Sequence, residues 1–343
     1  MPGPGNPESG VDRVGRARFA RRDSGYRAEM GELRGHEGAI AVFAPVTILT
    51  VTLERTADDE AEVHVHPGGQ GVWQARMATS LGARAVLCTP LGGEPGIVLR
   101  ALLDEEGIER SDVDLEAPNA TWIQDRRGGE RETWWEGDPP VPGRHALDEL
   151  YSAALAAGLE CGVCVLAGTH RAGAIDVDTY RRLAGDLRAA GARIVADLTG
   201  DELEAVLESG PDIVKVSDDD MRRDGRLGGT GPAEVEALVA GLHADGAQHV
   251  LVSCADAGAL ASDGTSLHEV RQPLLDVADS RGAGDSMTAA VAVGLSRGLP
   301  WADMLRLGAA AAALNVTRHG SGTGRADAVF ELAKRVTVEA RAA

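Results

Sequence analysis

From residue 39 onward, apolar and polar positions fall into regular blocks. Short apolar runs at 39–43, 47–53, 85–88, 163–167, 193–196, 213–216 and 250–254 read as strands. Between them, 73–81, 96–106, 178–190, 201–208 and 232–245 read as helices. This rhythm predicts an α/β fold in which helices cover both faces of a mainly parallel central sheet. Ligands of such sheets gather at the carboxyl ends of the strands, here the loops after Ala167, Ala196, Val216 and Cys254. Two stretches break the pattern. Residues 60–67 alternate like a half-exposed strand, and 119–136 do the same around the turn Arg126-Arg127-Gly128-Gly129. Together, over about 54–67 and 119–137, they predict a small β lid. One domain is expected over 39–335, with 336–343 as a C-terminal tail. Residues 1–38, rich in Gly, Pro, Arg and Glu and without an apolar period, read as a disordered leader.

Late in the chain, 274–277 reads as a short strand, 279–284 as a tight turn and 286–295 as a helix, with Met287, Val291 and Leu295 four apart on one face. Gly282 and Gly284 flank Ala283 and leave backbone N–H groups uncovered at the first helical turn. Unpaired donors and the positive end of the helix dipole favour an anion there. Asp285 follows at once, either as a first-turn acid that suits the dipole or as a carboxylate aimed at the occupant of the anion hole. A second glycine-rich turn, Gly68-Gly69-Gln70-Gly71-Val72-Trp73, also precedes a helix, where glycine lets the backbone approach a ligand closely. It is not a dinucleotide fingerprint, because Gln74 stands where the third glycine belongs. Neither Lys215 nor Lys334 follows a glycine, which excludes a Walker A loop.

Charge and cysteine usage narrow the function. A net charge of −19 argues against nucleic acid or an anionic membrane as partner, since either needs a cationic face. No secretory apolar core and no uninterrupted apolar stretch of about 18 residues is visible, so a cytoplasmic location is expected. Cys161 and Cys164 have no second Cys or His pair at metal spacing, and with Cys88 and Cys254 they read as core thiols. His64 and His66 share a strand face without a third ligand.

The residues 279–286, Asp-Ser-Arg-Gly-Ala-Gly-Asp-Ser, resemble the second signature of the ribokinase-like (PfkB) carbohydrate kinases, Asp-Thr/Ser-x-Gly-Ala-Gly-Asp. Pro67 to Ala75 resembles the first signature, Gly-Gly-x-Gly-x-Asn-x-Ala. Further likenesses occur in order: Ala167-Gly168-Thr169 to Ser-Gly-Ser, Asp197-Leu198-Thr199-Gly200 to Asp-Thr-Ser-Gly, Lys215-Val216-Ser217-x-x-Asp220 to Lys-Pro-Asn-x-x-Glu, and Ser253-Cys254-Ala255-x-x-Gly258 to the nucleotide loop. With Ile48 to Leu53, the order looks most like the 1-phosphofructokinase and tagatose-6-phosphate kinase branch.

The resemblance implies a ribokinase-like three-layer α/β/α fold with a β lid that closes on a sugar and can pair with a second subunit's lid. It implies ATP and Mg²⁺ as cofactors, with a K⁺ site at the carbonyls around Asp279 and Ser280. Asp285 would be the general base, and the amides of Gly282, Ala283 and Gly284 the anion hole, with Arg281 beside them. Lys215, Ser217, Ser253, Ala255, Gly258 and Asn315 would face nucleotide, with Asp220 near magnesium through water. Gly68, Gly69, Gln70, Trp73 and Arg126 would face the acceptor, a sugar or sugar phosphate. The departures lie at the acceptor end. Trp73 replaces the sugar-binding Asn, Gln70 replaces a phosphate-holding Lys, and Glu54 stands in for a hydroxyl-gripping Asp. The lid arginines Arg126, Arg127 and Arg131 are candidates to recognise an anion in place of that lysine, or form a solvated hairpin tip. The departures leave two other readings in view: a kinase for nucleosides or another small molecule, with Trp73 stacking on a ring, and a sensor of sugar phosphate or nucleotide without turnover.

Overall fold

The computed structural model describes residues 38–342 except 57, 130, 170–172, 230 and 319; the leader expected over 1–38 lies outside the described residues, Gly38 apart. The chain enters the main sheet at β1 (Ala39–Phe43), leaves it for β2 (Ile48–Arg55) and β3 (Ala61–Gly68), and returns through α1 (Gln70–Ser80) to β4 (Arg84–Leu91). It continues through α2 (Gly93–Glu105), β5 (Glu109–Asp114), β6 (Thr121–Asp125), β7 (Glu132–Glu136) and α3 (Arg144–Cys161). There follow β8 (Val163–Ala167), α4 (Val177–Ala189), β9 (Arg193–Asp197), α5 (Gly200–Leu207), β10 (Ile213–Ser217), α6 (Asp218–Arg223), α7 (Pro232–Ala244) and β11 (His249–Ser253). The last part is β12 (Ala259–Ser262), β13 (Ser266–Arg271), α8 (Ala283–Ser296), α9 (Trp301–Asn315), α10 (Ala326–Ala333) and β14 (Thr337–Ala342).

The main sheet has ten strands in the order β14-β13-β12-β11-β10-β9-β8-β1-β4-β5. It is parallel from β11 to β5 and antiparallel from β11 to β14. Val42 of β1 pairs with Leu87 on one side and Val165 on the other. Strand order reverses between β1 and β8, and the crevice at such a switch point is where ligands settle in open α/β sheets. The central strands are mostly Val, Ile, Leu and Ala because helices cover them from both sides. On one face Phe43 meets Tyr180 of α4 edge-on, with ring centroids 5.4 Å apart, and the Tyr180 hydroxyl donates to Ala167 O at 2.9 Å. On the other, α8 lies between β1, β8, β9 and β10 and helix α9, so Met287 to Leu295 are buried on every side.

The lid is a separate sheet, β3-β2-β6-β7. The run 47–53, expected in the central sheet, belongs to it. Ile48 packs with Val46, Ala120 and Trp122 in a small core of their own. An apolar run shows that a strand has a buried face; it does not show which sheet buries it. The run 274–277 forms no strand. Leu274 is 85% and Val277 60% exposed, and both line a cleft. The expected tail at 336–343 instead adds β14 to the edge of the main sheet, pairing with β13 from Ser266↔Ala342 to Arg271↔Thr337. The cysteines are unpaired, with Cys88 and Cys164 buried in β4 and β8. Burial pushes the Cys88 thiol up to about 12, as suits an inert core residue. Among the described residues, no helix is long and apolar enough to cross a membrane.

Candidate active site

The site forms where the carboxyl ends of β8, β9, β10 and β11 meet the first turn of α8. Gly282, with φ of +74°, turns the chain into that helix, and the Ser286 N–H to Gly282 O bond at 2.9 Å is the first of its ladder. The amides before it have no intrahelical acceptor, so they and the dipole present an anion-binding mouth. Only glycine fits at 282: a Cβ there would stand 2.6 Å from Ser321 Cβ. At Gly284 a Cβ would stand 2.5 Å from Lys215 Nζ, so an ammonium group lies directly against the helix mouth.

That ammonium is the centre of a buried network. Lys215 Nζ lies 3.3 Å from Asp197 Oδ1, and Asp197 Oδ2 accepts from Gln74 Nε2 at 3.0 Å and from Thr288 Oγ1 at 2.7 Å. Burial alone would push the Lys215 pKa down, but Asp197, Asp285 and Asp220 outweigh it and hold it above its ordinary value. Asp285 is half-buried on the cleft floor. Its carboxyl is pushed up, to about 8, first by burial and then by the charge of Asp197, with Lys215 pulling the other way. A carboxyl poised this way beside an anion mouth can exchange a proton near neutrality. Gln74 and Thr288 escaped the sequence reading, and Asp197 entered it without a role. Asp197 ends a strand of a parallel sheet, and that position is the signal that could have found it.

Around this core is a cleft of about 560 Å³. Ser217, Asp220, Ser253, Ala255 and Gly258 line one side of it, and Arg281, Ala283, Gly284 and Asp285 the opposite wall. Ser217 caps α6, accepting from Asp220 N–H at 3.0 Å and donating to Asp220 Oδ2 at 2.6 Å, while Arg223 meets Asp220 Oδ1 at 3.0 Å. Asn315 is not on this wall. It is fully buried, donates to Arg281 O at 2.6 Å and accepts from the Gly322 and Thr323 amides at 2.9 and 3.2 Å. It therefore ties the turn before α8 to the loop before α10, and Ala312, Ala313 and Val316 face the cleft from its helix end.

The expected acceptor residues are divided between two places. Gln70 lines the cleft, but its carboxamide bridges main chain, donating to Asp197 O at 3.0 Å and accepting from Gly168 N–H at 2.9 Å. Gly69, at φ +109°, passes beneath Val46 O, and Gly68 packs under Thr50. Trp73 and Arg126 instead face the lid, in a small cavity of about 40 Å³ with Thr50, Thr52, Trp122, Gln124 and Arg131. Arg281 reaches both spaces. Arg127 turns away to Asp125 within the hairpin, at 2.7 Å, so it is no part of the acceptor wall.

Asp279 accepts from Arg126 and Arg131 of the lid and, at 3.1 Å, from the Arg281 amide. Against the effect of burial, these partners hold it below the usual carboxylate range. Its carboxylate is thus committed to the lid, which leaves only main-chain carbonyls for the monovalent cation expected there. Among the described residues, no three His, Cys, Asp or Glu side chains gather as a metal cluster.

An anion mouth, a carboxyl of raised pKa and a buried ammonium at the carboxyl ends of β9 and β10 in a lidded α/β sheet define a phosphoryl-handling site. The sequence model of the pfkB family carbohydrate kinases matches residues 42–328, and the chain belongs to that family. It is 29% identical to a 1-phosphofructokinase of Bacillus subtilis over 71% of this chain and 79% of the other. It is also 29% identical to the ATP-dependent 6-phosphofructokinase isozyme 2 of Mycobacterium tuberculosis, over 79% of this chain and 81% of that one. Its fold matches a crystal structure of phosphofructokinase-2 from Escherichia coli in complex with potassium, with a TM-score of 0.74 at 21% identity, over 87% of this chain and 98% of the other.

Proposed function

We propose that the protein transfers the γ-phosphoryl group of ATP to a hydroxyl of a sugar or sugar phosphate. The observation that carries this reading is the convergence of Ala283, Gly284, Asp285 and the Lys215–Asp197 pair on one cleft. ATP would lie over 215–220 and 253–258 with its terminal phosphoryl at the helix mouth. Asp285 would take the proton of the attacking hydroxyl, while the amides, Lys215 and Arg281 stabilise charge on the transferring group. Asp218 and Asp220, oxygen donors at the first turn of α6 on the cleft wall, suit magnesium held largely through water. When bound, magnesium supplies charge neutralisation on the phosphates. The carbonyls of Asp279 and Ser280 are the proposed place for potassium.

Identity to a 1- and a 6-phosphofructokinase is equal at 29%, so the proposed acceptor class is the one common to both rather than one branch. The lid's open edges β3 and β7, with Trp134 and Trp135 exposed, support pairing with the lid of a second copy. The test is ADP release across phosphorylated hexoses, free hexoses and nucleosides, with Asp285→Asn as control. The expected result is turnover with a hexose or hexose phosphate that falls about 10²–10⁴-fold in the variant while ATP still binds. Tight ligand binding without ADP release would favour a sensor and remove the kinase reading.

A further inference from the structure

The carboxylate that faces Lys215 is held from behind, and that hold supports an inference which rests on the kinase reading and deepens it. Asp197 Oδ2 accepts from Gln74 Nε2 at 3.0 Å and from Thr288 Oγ1 at 2.7 Å, while Oδ1 faces Lys215 Nζ at 3.3 Å. Among the described residues Lys215 donates only to Asp197, whereas Asp285 and Asp220 act on it through their charge.

Neither Gln74 nor Thr288 lines the cleft. Both are fully buried among apolar neighbours, Gln74 beside Val72, Ala75 and Met77 of α1 and Thr288 between Met287 and Ala289 of α8. An unpaired buried acceptor weakens a fold, and Gln74 Oε1 is one. What the carboxamide provides at this position is the bond from its Nε2 to Asp197. Thr288 Oγ1 has one hydrogen and two acceptors in reach, Asp197 Oδ2 and, at 3.0 Å, Gly284 O. The nearer, charged acceptor takes it.

The geometry at Lys215 shows what these two bonds do. A relaxed bond from an ammonium to a carboxylate is about 2.7–2.9 Å long, and this one is 3.3 Å. Pinned at Oδ2 from α1 and α8, Asp197 cannot turn to close that gap. The ammonium therefore stays against the first turn of α8, where a Cβ on Gly284 would meet it at 2.5 Å.

We propose that Gln74 and Thr288 are positioning residues for phosphoryl transfer: from two helices they fix the Asp197 carboxylate so that Lys215 keeps its ammonium at the helix mouth, with donors free for the transferring group. Released from either bond, the carboxylate can rotate, engage Lys215 with both oxygens and draw the ammonium away from the mouth.

Two measurements test this. Lys215 and Lys334 are the only lysines in the chain, so protein labelled with carbon-13 at lysine Cε gives two side-chain signals. Lys334 pairs with Glu331 and serves as the internal reference. Thr288→Val, which keeps the shape and removes the hydroxyl, should shift the Lys215 signal and leave that of Lys334 in place, and Thr288→Ser should restore the parental spectrum. The second measurement is turnover with ATP and a hexose or hexose phosphate. In Thr288→Val and in Gln74→Leu, kcat should fall by about tenfold or more while KM for ATP changes by less than about threefold. Thr288→Ser should recover most of the loss, and the double variant should lose no more than the worse single one, because both donors act through one carboxylate. An unchanged kcat in either single variant, equal losses in Thr288→Ser and Thr288→Val, losses that multiply in the double variant, or a Lys215 signal that does not move overturns the assignment. Gln74→Met replaces the leucine variant if that one does not fold. If the parent releases no ADP with any acceptor, the kinase reading fails instead, and the lysine signals alone decide whether the two residues hold Lys215 in place.

Discussion

Replacing Gly284 by alanine probes how closely Lys215 is coupled to the helix mouth. The new Cβ would lie 2.5 Å from Lys215 Nζ and 3.5 Å from Cε. Ordinary carbon contact begins at about 3.5 Å, so the ammonium must move by about 1 Å. A lysine tip on the surface would do so at little cost. This one is held 3.3 Å from Asp197, which is itself fixed by Thr288 and Gln74, so a shift of that size takes the pair toward the limit of an ion pair. Overpacking of this kind costs about 1–3 kcal/mol, offset by about 0.5–1 kcal/mol from exchanging a helical glycine for alanine. Stability should therefore fall modestly, by about 1–2 kcal/mol. Turnover should fall much more, by about 10²–10³-fold, because the donor proposed for the transferring phosphoryl is displaced. Coupled ADP-release rates and thermal melts read the two effects separately. Gly185→Ala in α4, where a Cβ meets nothing within 4 Å, is the control and should keep full activity. Parental turnover in Gly284→Ala would refute the placement of Lys215 against the reacting phosphoryl.

The raised Asp285 carboxyl sets a pH dependence with a definite sign. As a base it must be ionised, so kcat/KM should rise about tenfold per pH unit up to about 8 and then level. Stability runs the other way. The folded state holds this proton more tightly than the unfolded chain, so a penalty grows as pH climbs past the ordinary 3.8 and is complete above about 8. Asp285→Asn should accordingly raise the melting temperature at pH 8 relative to the parent, with little difference at pH 4. A flat pH profile of kcat/KM between 5 and 8 would remove Asp285 as base. In the loop after β11, Ala255 sits at φ +44°, a left-handed conformation costly to a residue with a Cβ. Ala255→Gly should gain about 0.5–1 kcal/mol in urea denaturation, the relief of that strain exceeding the extra entropy of glycine in the unfolded chain. A loss of stability would mean that the strain is absent.

Much of the architecture was readable because it is local. The runs at β1, β8, β9 and β11 are predominantly apolar over strand length and that of β10 is broken only by Lys215 before its closing serine, while the glycine turn before α8 marks both a helix start and exposed amides within a few residues. The candidate base and anion mouth were legible for the same reason, since 282–285 are neighbours in the chain. What failed depended on partners. The run at β2 looks like any other buried strand, and only the packing of Ile48 on Trp122 sends it to the lid. Residues 274–277 are apolar apart from Asp276 yet find no strand to join, and 337–342 are mixed yet pair with β13.

The sequence by itself determined the alternation of strands and helices and the chemistry of the helix mouth, because short-range periodicity and glycine stereochemistry act within a few residues. Only the tertiary structure decided that Lys215, Asp197, Gln74 and Thr288 form one network, that Asn315 ties loops rather than facing nucleotide, and that Arg126 and Arg131 reach Asp279. These contacts join residues far apart in the chain, and their charges acquire shifted pKa values only after the sheet, the helices and the lid have excluded water around them.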